Sequence, residues 1–358
     1  GRPFDDALTA ELGPAWFRPR IGHGRSGMAI GQVLRLRHEQ PHAPDAVPRL
    51  GFVGDLIVER LCGRAAHDCT SCGLTLLHNP GRRDYDPEVL QRLQLQASQL
   101  PDLVDPREAA AGLRAGFARE TGLRPGIPVS AAVHDQYASA LGTGAVRPGR
   151  VMVGTGTAWV LLAVTDQLVA PVIDEAYVCG HVVEGLYGQI LSLVNGGSAL
   201  AWALDLMGVA GRNGRELEAL LASAPPGSDG LRFWPFLVPA GASQLAPETR
   251  GQLSGLQLAH GRGHVARAVV EGLVFELNRH LDFLRNAGLP LCELVMSGGA
   301  ASSQVTARVA ADVTGLRLHC VSGGEASLLG AAIIARGLLE PQTALVDLAD
   351  AMAPPLQI

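Results

Sequence analysis

The alternation of elements in the last third of the chain limits its fold more than any other feature. From His264 to Asn286, Val265, Val269, Leu273, Leu277, Leu281 and Leu284 recur near i, i+4 spacing, the apolar face of a helix. Gly288 and Pro290 supply its stop. Leu294-Val295-Met296 reads as a strand, Ser297-Gly298-Gly299 as a turn, and Ala301 to Thr314 as a helix closed by Gly315. Leu316 to Val321 and Glu325 to Arg336 repeat the order as strand and helix. Strands joined to helices through glycine turns predict an α/β architecture.

The middle of the chain carries further local signals. Ile127 to Val133 predicts a buried strand ending at His134-Asp135-Gln136, where a small-residue helix begins (Tyr137 to Gly144). Arg147-Pro148-Gly149 is a turn, and Val151 to Val164 predicts two strands around Gly154-Thr155-Gly156-Thr157, a hairpin pattern. A helix from about Gly197 to Met207 follows, then a loop over 225–230. Residues 1–45 are rich in Arg, Gly and Pro and carry one helical pattern, from about Gly27 to His38. Residues 49–62 form an apolar stretch and 86–97 a short amphipathic one.

Composition excludes several chemistries. Lys and Arg together number 29, and every one is Arg. A chain without lysine has no Walker A loop, no protein-kinase strand lysine and no Schiff-base amine. A net charge of −5 gives no electrostatic case for nucleic acid or an anionic membrane as partner. Neither a signal peptide nor a long apolar run appears, which predicts a soluble, cytoplasmic protein. The six cysteines are scattered, unlike a disulfide framework. The chain opens at Gly1 without Met, as a fragment would.

Four groups could carry chemistry. Asp135 stands at the carboxyl end of a predicted strand, where open α/β sheets place ligand groups. It can act as a general base toward an alcohol or simply cap the next helix. Gly154-Thr155-Gly156-Thr157 can cradle phosphate with backbone amides and hydroxyls, or be a plain turn. Gly298-Gly299, like Gly196-Gly197-Ser198, precedes a helix, a place that suits a nucleotide or an ordinary tight turn. His67-x-Cys69-x-x-Cys72 lacks the second pair of a structural zinc site, which leaves packing, metal or redox roles open. His260 and His264 lack the glutamate of a zincin motif, and His264 reads as a helix-start residue.

The order of these groups resembles the FGGY family of carbohydrate kinases. The stretch Gly251-x-Leu253-x-Gly255-Leu256, seven residues, His264-Val265-x-x-Ala268-Val269-Val270-Glu271 matches that family's C-terminal signature. The likeness runs from about Ser130 to Gly337, with Glu325-Ala326-Ser327-Leu328-Leu329-Gly330-Ala331-Ala332 near its end, and more loosely back to about Gly27. Thr75 through Tyr85 looks like a family strand. The resemblance implies an α/β fold of two actin-like (ribonuclease H-like) domains with ATP in the cleft between them. Residues 1–146 would be a partial sugar-binding domain and 147–358 the nucleotide-binding domain. The implied reaction moves the γ-phosphoryl of ATP, with Mg²⁺, to a hydroxyl of a ketose or polyol, xylulose-like. Asp135 would be the general base, and Gln136 would help hold the substrate. His134 and Tyr137 would either border the pocket or pack inside. Gly154, Thr155 and Gly156 would form a phosphate loop, Gly197 would line the nucleotide site, and Gly298 and Gly299 would pack on the adenosine. Ser303 would reach the base, and Gly330 would lie on a hinge helix. No residue set is assigned as a metal site. The resemblance also allows a homodimer.

Three departures set further expectations. The family's opening Asp-x-Gly-Thr hairpin is absent, which predicts a domain incomplete at its front, low turnover and exposed apolar surface near 49–62. After Phe233-Trp234-Pro235-Phe236-Leu237 the family's Gly-Glu-Arg is replaced by Val238-Pro239-Ala240-Gly241. The chain also stops before the family's last helix, with Pro354-Pro355 as a loose tail. The alternative to a kinase is a non-catalytic sugar- or nucleotide-binding remnant of the same scaffold.

Overall fold

A computed structural model describes residues 1–40, 49–209, 214–238, 244–246, 248–321 and 325–354. The segment Pro239–Gly241 and the end of the Pro354-Pro355 tail therefore lie outside the described residues. The backbone packs as two units. One takes residues 1–148, 164–189 and 326–353, and the other takes 149–163, 190–325 and 354–358.

The first unit opens with three helices, Arg2–Leu12, Pro14–Ile21 and Ala29–Glu39, where one was predicted. Pro3 and Pro14 sit at helix starts, where no N–H is needed, while Pro19 lies inside the second helix. Phe17, Ile21, Ile30 and Val33 pack with Leu76, Leu77 and Leu93 into a buried cluster. The apolar stretch at 49–62 becomes the helix Val53–Cys62, which buries Val58 and leaves Val53, Leu56 and Ile57 exposed.

Two predicted strands are corrected. Thr75 to Leu77 is a turn, with Leu76 at φ 63°, and the strand that follows is the two-residue His78–Asn79, paired antiparallel with Asp84–Tyr85. The strand predicted over Ile127 to Val133 is only Pro128–Ser130, half-buried and paired antiparallel with Ala109–Gly112. Beyond it a single parallel bridge joins Ala132 to His67.

The helices Asp135–Gly142 and Ala326–Leu339 pack at backbone distance. A Cβ added at Gly330 would lie 1.8 Å from the Ala138 carbonyl oxygen, and one at Gly142 would lie 2.0 Å from that of Ala326.

In the second unit Arg150–Thr155 runs parallel to Glu293–Gly298 and antiparallel to Trp159–Thr165. Arg317–Val321 adds a parallel edge strand. The registers set Thr155 opposite both Gly298 and Trp159. Val151, Met152, Val153, Leu161, Leu162, Leu294, Val295 and Met296 are buried, so these strands read as continuous apolar runs. The helix Arg262–Asn286 buries Val269, Leu273, Leu277, Leu281 and Leu284 of the expected row, together with Ala266 and Val270, and leaves Val265 half-buried. His264 does start that helix: its Nδ1 accepts the Gly261 N–H at 3.1 Å.

Burial of histidines in the first unit makes its stability depend on pH. Burial lowers His23 and His78 to about 4 and His181 to about 3. Each imidazole stays neutral in the fold but binds a proton near pH 6.5 once unfolded. The unfolded chain then holds more protons, so stability falls as pH drops from about 6.5 toward 4. Asp68, pushed up to about 6 by burial, and Asp5, also raised by burial, oppose this over part of the window. His134, lowered by burial as well, adds to the loss, so four imidazoles against two carboxyls leave a net acid loss. The melting temperature should be lower at pH 5 than at pH 7.5, and His78→Leu should reduce the difference. A melting temperature that holds or rises on acidification contradicts this.

Candidate functional site

His134 ends the exit from Pro128–Ser130 and caps the helix Asp135–Gly142, its Nδ1 accepting the Gln136 N–H at 3.3 Å. That bond leaves the neutral ring's proton on Nε2. Burial lowers the His134 pKa, which favours the neutral form, and the neighbouring Asp135 charge acts in the opposite direction. Asp135 is the first residue of the helix, with its side chain 70% exposed. Among the described residues its one ion-pair-range neighbour is His134, with Nδ1 3.3 Å from Oδ1. The carboxylate is therefore offered outward, with no arginine of the described residues in ion-pair range. Gln136 Oε1 is buried and accepts no hydrogen bond. Tyr137 is fully buried beside the Cys179 thiol at 3.0 Å, so of the two roles predicted for it the structure selects packing.

In the second unit the glycine turns converge. Gly197 N–H donates to Gly156 O at 3.0 Å, and Ser198 N–H donates to Thr157 O at 3.1 Å. A Cβ at Gly197 would lie 2.7 Å from Gly156 O, so only glycine fits against the hairpin. The Thr155 hydroxyl donates to Ser297 O at 2.6 Å and accepts from Ala300 N–H at 3.0 Å. It thereby joins the hairpin to the Gly298-Gly299 turn, where Gly298 holds φ 92°. Gly154, Thr155, Gly156, Gly197, Gly298 and Gly299 thus share one neighbourhood. Because the Thr155 hydroxyl is engaged inside the protein, the hairpin presents backbone at Gly156 and the exposed Thr157. Thr157 belongs to the turn singled out in the sequence but lay outside the three loop residues that the family resemblance implied. Ser303 caps the helix Gln304–Thr314, accepting from Thr306 N–H at 3.1 Å and from the Thr306 hydroxyl at 3.0 Å. Its own hydroxyl hydrogen is left to donate.

Other groups separate. Cys72 is buried in the core, and burial pushes both the Cys69 and Cys72 thiols up, keeping them protonated. All six cysteines are free thiols. The His260 and His264 rings lie tilted against each other with centroids 5.2 Å apart, and His264 Nε2 meets Asp229 at 3.1 Å. Among the described residues no group of three or more His, Cys, Asp or Glu side chains could hold a metal. None of the described helices is long and apolar enough to cross a membrane.

The profile of the FGGY family of carbohydrate kinases, C-terminal domain, matches residues 151–336, and that of its N-terminal domain matches 6–142. The chain belongs to the FGGY family of carbohydrate kinases. It is 26% identical over 323 residues to the xylulose kinase of Escherichia coli (strain K12), across 90% of this chain and 66% of that protein. It is 32% identical over 296 residues to the glycerol kinase of Gloeobacter violaceus, across 78% of this chain and 56% of that one. The chain therefore spans less than two thirds of the length of these relatives. Among solved structures, the xylulose kinase from Rhodospirillum rubrum superposes with a TM-score of 0.88 at 24% identity, over 99% of this chain and 71% of that one. Plasmodium falciparum glycerol kinase with ADP gives 0.87 at 17%, over 98% and 71%. The fold is thus the mixed α/β, two-domain actin-like (ribonuclease H-like) one of these kinases.

Proposed function

We propose that this chain is the phosphoryl-transferring part of an ATP-dependent carbohydrate kinase. It would act on a hydroxyl of a ketose or polyol, xylulose-like in kind, with Asp135 as general base. The observation that carries this reading is the exposed Asp135 carboxylate at a strand exit, unpaired with any arginine of the described residues. A base must reach the proton it takes, and a carboxylate paired with arginine could not. After taking the alcohol proton, the carboxyl would stay exposed to solvent beside His134 Nδ1, whose lone pair is held by the Gln136 N–H. Gln136, the next residue of that helix, would help hold the substrate.

ATP would rest on the glycine turns of the second unit. Gly156 and Thr157 would offer amides to the β- and γ-phosphates, Gly197, Gly298 and Gly299 would let the backbone come close, and Ser303 would donate to a ring nitrogen of the base. Amides, hydroxyls and a carboxylate suffice for this chemistry without lysine, because phosphoryl transfer is mainly positioning and charge stabilisation. Mg²⁺ would arrive as MgATP, ligated largely by phosphate oxygens and water.

The test is ADP release with MgATP and a panel of ketoses and polyols, with Asp135→Asn alongside. Gly197→Ala is expected to raise the KM for ATP about tenfold or more, because its methyl would push the hairpin aside by displacing Gly156 O. An unchanged ATP dependence in that variant would move the nucleotide away from these turns.

A further inference from the structure

The Asp135 helix start is tied from below by a segment that the reaction scheme does not use. Asp68 N–H donates to Ala132 O at 2.9 Å. Two residues on, the Thr70 hydroxyl accepts the His134 N–H at 3.1 Å and donates its hydrogen to Asp68 Oδ1 at 2.7 Å. Asp68 Oδ1 also accepts from Thr70 N–H at 3.0 Å and Ser71 N–H at 2.9 Å, which caps the helix Cys69–Gly73. Asp68 and Thr70 are both fully buried.

We infer that Thr70 is a positioning residue for the Asp135 carboxylate. This inference rests on the general-base role proposed above. A hydroxyl has one hydrogen, and Asp68 takes it. The oxygen can then only accept, and the donor it meets is His134 N–H, one residue before the base. Residues 132 and 134 are thus gripped at alternate positions of the exit strand by 68 and 70, and the next residue is delivered to solvent. A methyl in place of the hydroxyl would leave a buried amide unpaired and free the strand exit to shift. A displacement of about 1 Å at a reacting group can cost on the order of a hundredfold in rate.

The test uses the whole chain and two readouts. In turnover, Thr70→Val is expected to lower kcat about a hundredfold with the KM for ATP unchanged, and Thr70→Ser to restore most of the loss. In NMR, the His134 imidazole, assigned by comparison with His134→Gln, is expected to titrate below its ordinary midpoint. Thr70→Val should move that midpoint upward as the ring leaves its buried seat, and Thr70→Ser should bring it back. A loss of global stability alone would move neither the kcat-against-KM split nor that midpoint in the folded protein. The unaltered protein gives a third readout: the His134 amide should be protected from hydrogen exchange. Free exchange of that amide overturns the inference, as does a folded Thr70→Val protein with unchanged midpoint and kcat. If Asp135→Asn keeps full turnover while Thr70→Val shifts the His134 midpoint, the general-base role fails and Thr70 is left holding the strand exit alone.

Discussion

Asp135→Asn is expected to remove sugar-dependent ADP formation almost entirely while leaving the protein folded. Asparagine keeps the shape of the side chain but cannot take a proton, and a positioned general base contributes typically 10²–10⁴-fold to such a step. The side chain is 70% exposed, and its neighbour within ion-pair range is His134. Removing the charge should therefore cost stability little beyond the favourable placement of a carboxylate at a helix start, about 0.3–1 kcal/mol. The apparent KM for ATP should hold, because the amides proposed to meet the phosphates belong to Gly156 and Thr157. ADP release would be followed beside a melting curve of the same variant. Full turnover in Asp135→Asn would assign the proton to another group, and a large fall in melting temperature would point to a structural role for the carboxylate.

Much of this site was legible because its parts are short-range. Gly154-Thr155-Gly156-Thr157 could be read as a hairpin, since glycine at a turn between apolar runs constrains backbone locally, and the strands Arg150–Thr155 and Trp159–Thr165 follow. The Ser297-Gly298-Gly299 turn and the row from Val265 to Leu284 were legible for the same reason. Thr70 was not. It meets His134 across 64 positions of sequence, and no local pattern announces such a bond. The segment was read instead for its Cys-x-x-Cys spacing, although an Asp before a short helix is itself a cap signal that singles out Asp68. The helices Arg2–Leu12 and Pro14–Ile21 were missed because Pro and Gly were counted as loop formers, when position decides their effect. Nor did any local signal give the packing of 164–189 and 326–353 with the first unit. That follows from side-chain fit between distant segments.

Gly330→Ala is expected to be among the most damaging single substitutions. Its Cβ would lie 1.8 Å from Ala138 O and 2.5 Å from Ala138 C, both backbone atoms that no rotamer change can move aside. The helices Asp135–Gly142 and Ala326–Leu339 must separate or slide, and overpacking in such a contact costs about 1–3 kcal/mol or more. Ala138 lies one turn from Asp135, so the displacement also reaches the proposed base. The expected result is a marked drop in melting temperature together with loss of kcat, whereas Asp135→Asn loses kcat alone. Gly142→Ala meets the same helix pair from the other side, 2.0 Å from Ala326 O. Once one methyl has forced the helices apart, the second finds part of its space already open. The double variant should therefore lose less stability than the sum of the two single losses, a coupling expected where substitutions share one contact. Strictly additive losses in a denaturant titration would show that the two glycines relieve separate strains, and the single-contact account of how Asp135 is seated would fail with that result.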